Sequence, residues 1–186
     1  MTFHKLLIAN RGEIACRIIK SAHDMGISCV AVYVDADADS LSVKQADEAI
    51  RLSDSYLNSK EIIAAAKSTG AQAIHPGYGF LSENAKFSRD VLKEGLIWVG
   101  PNSRVITSMG DKLKAKVLAE KAGVPTLPMT TDPKKAGSIG FPVLIKAAAG
   151  GGGKGMRIVE TKKDLKESIL SAQREALSGF GDDRVF

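Results

Sequence analysis

The chain has 186 residues, of which 44% are hydrophobic, 25% charged and 5% aromatic. This is the balance of an average soluble globular protein, and it excludes a disordered, collagen-like or low-complexity chain. The net charge of +5 describes a lysine-rich surface, and with no RGG run, zinc knuckle or ribonucleoprotein motif nothing points to nucleic acid as a partner.

In chain order, residues 5–9 (KLLIA) read as a short buried strand and Asn10, Arg11 and Gly12 as a turn. From residue 13 to 25, Ile14, Ile18, Ala22 and Met25 recur at helical spacing. Residues 28–34 form a second strand, 42–47 a helix and 49–52 a short strand. Ser59 is the expected cap of a helix over 60–68 that Gly70 ends. A strand at 71–75, a loop at 76–84, a helix at 85–94 and a strand at 96–99 follow. Strands alternating with helices across short turns predict an α/β domain built on a parallel sheet covered on both faces. Residues 102–123 read as two helical pieces with Gly110 between them, and 124–133 as a Pro- and Thr-rich connector. Then come a strand, a glycine run, a second strand and an amphipathic helix carrying Leu165, Ile169, Leu170, Ala172, Ala176 and Leu177. The last eight residues, GFGDDRVF, read as the start of a new strand at a cut, not at a natural terminus. The expected organisation is a parallel-sheet domain over 1–100, a helical linker over 101–129 and an incomplete lid subdomain over 130–186.

No apolar run approaches the roughly 20 residues of a membrane span, and the apolar N-terminal stretch is too short and too soon charged for a secretory signal. Cys16 and Cys29 lie among apolar residues without a CxxC pattern; they read as two buried thiols of a reducing compartment.

The strongest chemistry is in AAAGGGGKGMR, residues 147–157, with Lys146 before the glycines and Lys154 among them. Consecutive glycines let backbone N–H groups approach phosphate oxygens and permit the positive φ that a phosphate nest requires. The P-loop pattern GxxxxGK[ST] fails, because residue 148 is Ala and Lys154 precedes Gly155. A dinucleotide fingerprint fails too, since the first strand is followed by ANRGEIA with a single glycine, although Asp35 ends the second strand as a ribose-binding acid would. What remains is a strand, glycine loop and strand folding over a triphosphate, as in the mobile lid of an ATP-grasp ligase.

Four segments, IANRGEIACRI (8–18), AIHPGYGFLSENA (73–85), MGDKLKAK (109–116) and GFPVLIKAAAGGGGKGMRIV (140–159), resemble biotin carboxylase, the ATP-dependent component of acetyl-CoA, propionyl-CoA, methylcrotonyl-CoA and pyruvate carboxylases. The resemblance covers essentially the whole chain, and HPGYGFLSEN is its most specific part. It implies a Rossmann-like pre-ATP-grasp domain, a helical linker and the lid of an ATP-grasp domain. It also implies phosphorylation of bicarbonate by ATP to carboxyphosphate, followed by carboxylation of biotin on a carrier protein.

By this resemblance Lys112, Lys146, Gly152, Gly153 and Met156 bind ATP, while Tyr78, Gly79 and Glu83 line the biotin cleft. His75 is expected to be a structural loop histidine. The partners implied are a biotin carboxyl carrier, a carboxyltransferase and a second copy of the chain as a homodimer. The implied location is the cytoplasm, or the mitochondrial matrix in a processed eukaryotic protein. Family members continue for more than twice this length. The portion beyond carries the Mg2+ ligands, a bicarbonate-binding arginine cluster and the general base, so no catalytic or metal-binding residue is expected within this chain and the chain alone is expected to be inactive. The stretches at 52–57 and 124–140 are shorter than is usual for the family. Two other readings are another ATP-grasp ligase, such as a purine-synthesis or carbamoyl-phosphate enzyme, and a non-catalytic nucleotide-binding or assembly module.

Overall fold

In the computed structural model, which describes residues 3–149 and 155–186, the chain divides into two units, Met1–Thr107 and Ser108–Phe186. The first unit contains strands β1 (Lys5–Ile8), β2 (Ser28–Tyr33), β3 (Glu48–Arg51), β4 (Ala73–His75) and β5 (Ile97–Trp98). They form one parallel sheet in the order β3-β2-β1-β4-β5. Its helices are α1 (Gly12–Asp24), α2 (Leu41–Gln45), α3 (Ser59–Ser68) and α4 (Ala85–Lys93), and α5 (Ser103–Gly110) starts in this unit and runs past its last residue, Thr107.

β1 is the centre of the sheet, and its side chains alternate between two cores, as the period of a strand requires. Leu6 and Ile8 pack with Ile14, Ala15, Ile18 and Ile19 of α1. Leu7 and Ala9 pack on the other face with Ile62 and Ala66 of α3 and Phe87 and Val91 of α4. The apolar spacing in α1 therefore buries the residues expected of it, except Met25, which lies beyond the helix and is exposed. The rings of Phe87 and Trp98 meet edge to face with centroids 5.4 Å apart.

The cap of α3 is Asn58, not Ser59. The Asn58 carboxamide oxygen accepts from the Glu61 N–H at 3.3 Å, and Ser59 is already the first helical residue. Both residue types cap well, and the non-helical backbone at 58 (φ −80°, ψ 86°) decides which does so. Asn84 caps α4 in the same way, accepting from the Phe87 N–H at 3.0 Å. Cys29 is fully buried, as expected, whereas Cys16 is only partly so.

One packed helix residue is mismatched to its surroundings. Ser88 is 0% exposed, and among the described residues its hydroxyl oxygen has no hydrogen-bond partner. A buried hydroxyl left unpaired costs about 1–3 kcal/mol, and Ala is also the better helix former. Ser88→Ala is therefore expected to raise the unfolding free energy by about 1 kcal/mol, visible as a higher urea midpoint with an unchanged slope.

The second unit contains α6 (Lys112–Lys121), α7 (Ala136–Ile139), β6 (Val143–Ile145), β7 (Arg157–Val159) and α8 (Leu165–Phe180). β6 and β7 pair antiparallel, with Val143 opposite Val159 and Leu144 opposite Ile158. Ile145 and Val159 are buried against Leu165 and Ala172 of α8. Leu144 and Ile158, on the opposite face of the hairpin, are 45% and 68% exposed. The backbone of Lys146 exchanges two hydrogen bonds with Phe186, at 2.8 and 2.9 Å, and Ala147 bridges Val185. Where GFGDDRVF predicts a new strand, the final residues form an isolated antiparallel bridge beside the end of β6.

Candidate functional site

In the first unit the site begins at the C-terminal edge of the sheet. β2 and β4 flank β1 on opposite sides, so the loops after β1 and β4 border the switch point where open α/β sheets receive ligands. Here a side chain bridges those loops. Asn10 follows β1, is 3% exposed, and its amide donates to the carbonyls of Pro76 and Tyr78, both at 2.7 Å. Its oxygen accepts from the Arg11 N–H at 2.9 Å. Gly77 makes room for this bridge. Its φ is +64°, and a Cβ there would lie 2.7 Å from the Asn10 amide nitrogen. The space a glycine fingerprint would open to a pyrophosphate is filled by a carboxamide.

His75 closes the base of the loop. Its Nδ1 accepts from the Gly77 N–H at 3.0 Å, which requires the neutral ring, and burial holds its pKa below the usual value. It is a structural histidine. Tyr78 is 57% exposed, and its hydroxyl donates to the Glu13 carboxylate in the first turn of α1. That hydrogen bond, helped by partial burial and the Glu13 charge, raises the phenol's pKa. Gly79 has φ +65° with open space where a Cβ would stand, and Glu83 is exposed at the end of the loop.

A second anchor lies beside the first. Phe80, with φ +42°, stacks on Tyr56 at 5.2 Å. The Tyr56 hydroxyl donates to Asp37 Oδ2 at 2.6 Å, and Arg11 grips both oxygens of the same carboxylate. The hydrogen bond from Arg11, with help from Tyr56, lowers the Asp37 pKa to about 2. Burial and Asp37 push the Tyr56 phenol up to about 12. Asn10, Arg11, Asp37 and Tyr56 were not read as site residues from the sequence. Asn10 and Arg11 stood inside an ordinary turn, and nothing in their spacing pointed to partners far along the chain.

The second unit holds a group of its own. Asp111 caps α6 by accepting from the N–H groups of Leu113 and Lys114, at 3.0 and 3.1 Å. This presents Lys112 at the helix start, where its Nζ donates to the carbonyls of Ala147 and Ala149, at 3.1 and 3.4 Å. Lys146 directly precedes that segment, and Met156, 40% exposed, follows it after the glycines. On the return side Gly155 has φ +70°, and a Cβ there would lie 3.0 Å from the Ala147 Cβ. Gly152 and Gly153 lie outside the described residues. Lys146 also lines a cleft of about 820 Å³ whose walls include Leu127, Met129, Leu144, Ile169 and Phe186. Such a volume and apolar lining suit a small-molecule ligand.

Residues 2–106 match the family described as biotin carboxylase, N-terminal domain. The chain belongs to this family. Residues 111–186 match the ATP-binding domain described for the carbamoyl-phosphate synthase L chain, so the first hundred residues distinguish a biotin carboxylase from other ligases that share that ATP-binding domain. Among curated relatives, the chain is 50% identical over 197 positions to the propionyl-CoA carboxylase alpha chain of Ruegeria pomeroyi, covering 99% of this chain and 29% of that one. It is 51% identical over 194 positions to the mitochondrial methylcrotonoyl-CoA carboxylase subunit alpha of Dictyostelium discoideum, covering 97% and 28%. The chain thus spans less than a third of the length of these relatives. An alignment of 197 positions exceeds the 186 residues of this chain, so the relative carries residues that this biotin carboxylase sequence lacks, in keeping with the shortened stretches read above.

Among solved structures, the biotin carboxylase–β,γ-ATP complex of Campylobacter jejuni superposes with TM-score 0.93 at 45% identity, covering 99% of this chain and 44% of that one. The biotin carboxylase domain dimer of Hydrogenobacter thermophilus 2-oxoglutarate carboxylase, in complex with MgADP, ADP and bicarbonate, gives 0.92 at 42%, covering 100% and 44%. Among the described residues, no helix is long and apolar enough to cross a membrane.

Proposed function

We propose that this chain supplies the N-terminal part of an ATP- and bicarbonate-dependent biotin carboxylase, with nucleotide phosphates held by Lys112, Lys146 and the glycine run. The observation that carries this reading is the placement of Lys112 on the carbonyls of Ala147 and Ala149, directly before the glycines and next to Lys146. Two lysines at a glycine-rich sequence, a composition that allows backbone N–H groups to approach phosphate oxygens, suit a polyphosphate. Gly152, Gly153 and Met156 complete that set, with the thioether beside the nucleotide base.

The donor set does not fit a magnesium ion. Asp111 and Asp182, the carboxylates tied to this segment, are both engaged by Arg184, and Lys112 and Lys146 repel a divalent cation. In this reading Tyr78 and Gly79 present a flat surface to the ureido ring of biotin, and Glu83 lines the cleft. Glu13 orients the Tyr78 hydroxyl and Asn10 fixes the loop backbone, so the surface is preorganised before biotin arrives. A lid that closes on ATP would shield an acyl phosphate from water. A biotin carrier, a carboxyltransferase and a second copy of the chain are the proposed partners. The proposed location is the cytoplasm or, as some relatives' names specify, the mitochondrion.

Calorimetric titration with ATP tests the nucleotide reading. The chain is expected to bind ATP, and Lys112→Ala and Lys146→Ala are each expected to weaken binding about tenfold or more, equivalent to about 1.4 kcal/mol. Binding unchanged in both variants would remove the two lysines from the site.

A further inference from the structure

A cluster distant in sequence from the loops above brings three different donor atoms together. His23 stands in the last turn of α1, Cys29 is the second residue of β2, and Asp47 directly precedes β3. One ligand atom from each, an imidazole nitrogen, the thiol sulfur and a carboxylate oxygen, lies within 4.8 Å of the other two. Asp47 Oδ2 sits 2.9 Å from His23 Nε2 and 2.7 Å from the Cys29 amide nitrogen, whose N–H it accepts. Backbone pairing sets the arrangement. The Asp47 N–H donates to the Cys29 carbonyl at 3.0 Å, and the β2–β3 register continues with Val30 opposite Glu48. The side chains of His23 and Asp47 are 40% and 47% exposed, while Cys29 is 0% exposed beneath them. The mouth of the cluster is therefore wet and its floor is sulfur.

We propose that His23, Cys29 and Asp47 form a binding site for a borderline-soft divalent transition metal of the zinc class. Sulfur, imidazole and carboxylate together select such an ion over magnesium or calcium, which take oxygen ligands. Three protein ligands leave a fourth tetrahedral position that water can fill from the exposed side. On binding, the Cys29 thiol loses its proton to solvent and the sulfur gains the metal bond, while His23 coordinates as the neutral ring. In the metal-free chain the thiol's only hydrogen-bond partner among the described residues is the Ile27 carbonyl, at 3.8 Å, so coordination displaces little. Burial and the Asp47 charge push the thiol up to about 11, so the metal must displace a firmly held proton. None of these residues takes part in the proposed nucleotide or biotin sites, and the inference stands without them.

Cadmium(II), a spectroscopic substitute for zinc, tests the site. Titrating the reduced full chain is expected to produce a thiolate-to-cadmium charge-transfer band in the ultraviolet that saturates at one equivalent and is displaced by zinc. Cys29→Ala removes the band, with the closely isosteric Cys29→Ser serving if the alanine variant unfolds. Cys16→Ala leaves it intact, and His23→Ala and Asp47→Asn each weaken cadmium binding about tenfold or more. Zinc is also expected to raise the thermal midpoint of the wild-type chain and not of the Cys29 variant. No band, a band that survives loss of Cys29, or affinity unaffected by both His23→Ala and Asp47→Asn overturns the proposal and leaves a hydrogen-bonded His23–Asp47 pair beside a buried thiol.

Discussion

Asn10→Asp is expected to lower the stability of the first unit by about 3 kcal/mol, the combined cost of one buried and one part-buried carbonyl losing their donor at about 1–3 kcal/mol each. The two side chains have the same shape, so the variant leaves no cavity. Asn10 donates both amide hydrogens, to Pro76 and Tyr78 at 2.7 Å. An aspartate places an oxygen at the same point, facing two carbonyl oxygens in a position only 3% exposed. Either the charge stays and repels them, or the carboxyl takes a proton and supplies one hydrogen where two are needed. Trp98 is the chain's single tryptophan and belongs to the first unit, so its fluorescence during urea unfolding reads that unit directly. A loss below about 1 kcal/mol, smaller than a single unmet buried acceptor costs, would mean that the loop backbone is held by its glycines and His75, without need of the bridge.

The second large effect concerns Asp37. Its carboxylate is 9% exposed and accepts from Arg11 through both oxygens and from the Tyr56 hydroxyl. Asp37→Asn keeps one acceptor and replaces the other by a donor facing a guanidinium. Loss of the charge-assisted bonds costs about 2 kcal/mol, moderated because water can rehydrate the half-exposed Arg11 side chain. The same carboxylate makes stability depend on acid. Its folded pKa of about 2 lies below the ordinary value of about 3.9. The stabilisation is therefore complete above about pH 4 and is lost as pH falls towards 2. Over that interval the wild-type chain is expected to lose roughly 1–2 kcal/mol more than Asp37→Asn, after allowance for screening at Arg11. Parallel curves in acid would assign the acid sensitivity to other carboxylates.

The first unit was largely legible in the sequence because its strands are buried on both faces. Runs such as KLLI and SCVAVY declare themselves without any long-range information, and short turns between strands and helices leave a parallel sheet as the economical solution. Local rules blurred where two residues of equal chemistry stood side by side, as with Asn58 and Ser59. In the second unit β6 spans only Val143–Ile145. Its continuation pairs instead with the final residues, a contact across some forty positions that no local pattern contains. The candidate site was legible only through motifs. Lys112 alone is one more lysine on a lysine-rich helix, and its significance comes from two carbonyls 35 and 37 residues away. Asn10 carries even less signal, since a small polar residue before a glycine describes any turn. The bridge between the loops after β1 and β4 exists only once the sheet has assembled.

The central place of β1 has a consequence for synthesis on the ribosome. Within this sheet the strand that comes first in the sequence is the one at its centre. β2 pairs with one of its edges and β3 with β2, whereas the other edge must wait for β4, whose last residue is His75. Throughout that interval the backbone of Leu6, Leu7 and Ile8 presents an open parallel edge with apolar side chains on both faces, a template for neighbouring nascent chains. A nascent chain that has released β3 but not yet β4 exposes this open edge, and a pause that holds it there is more hazardous than one after β4 has emerged.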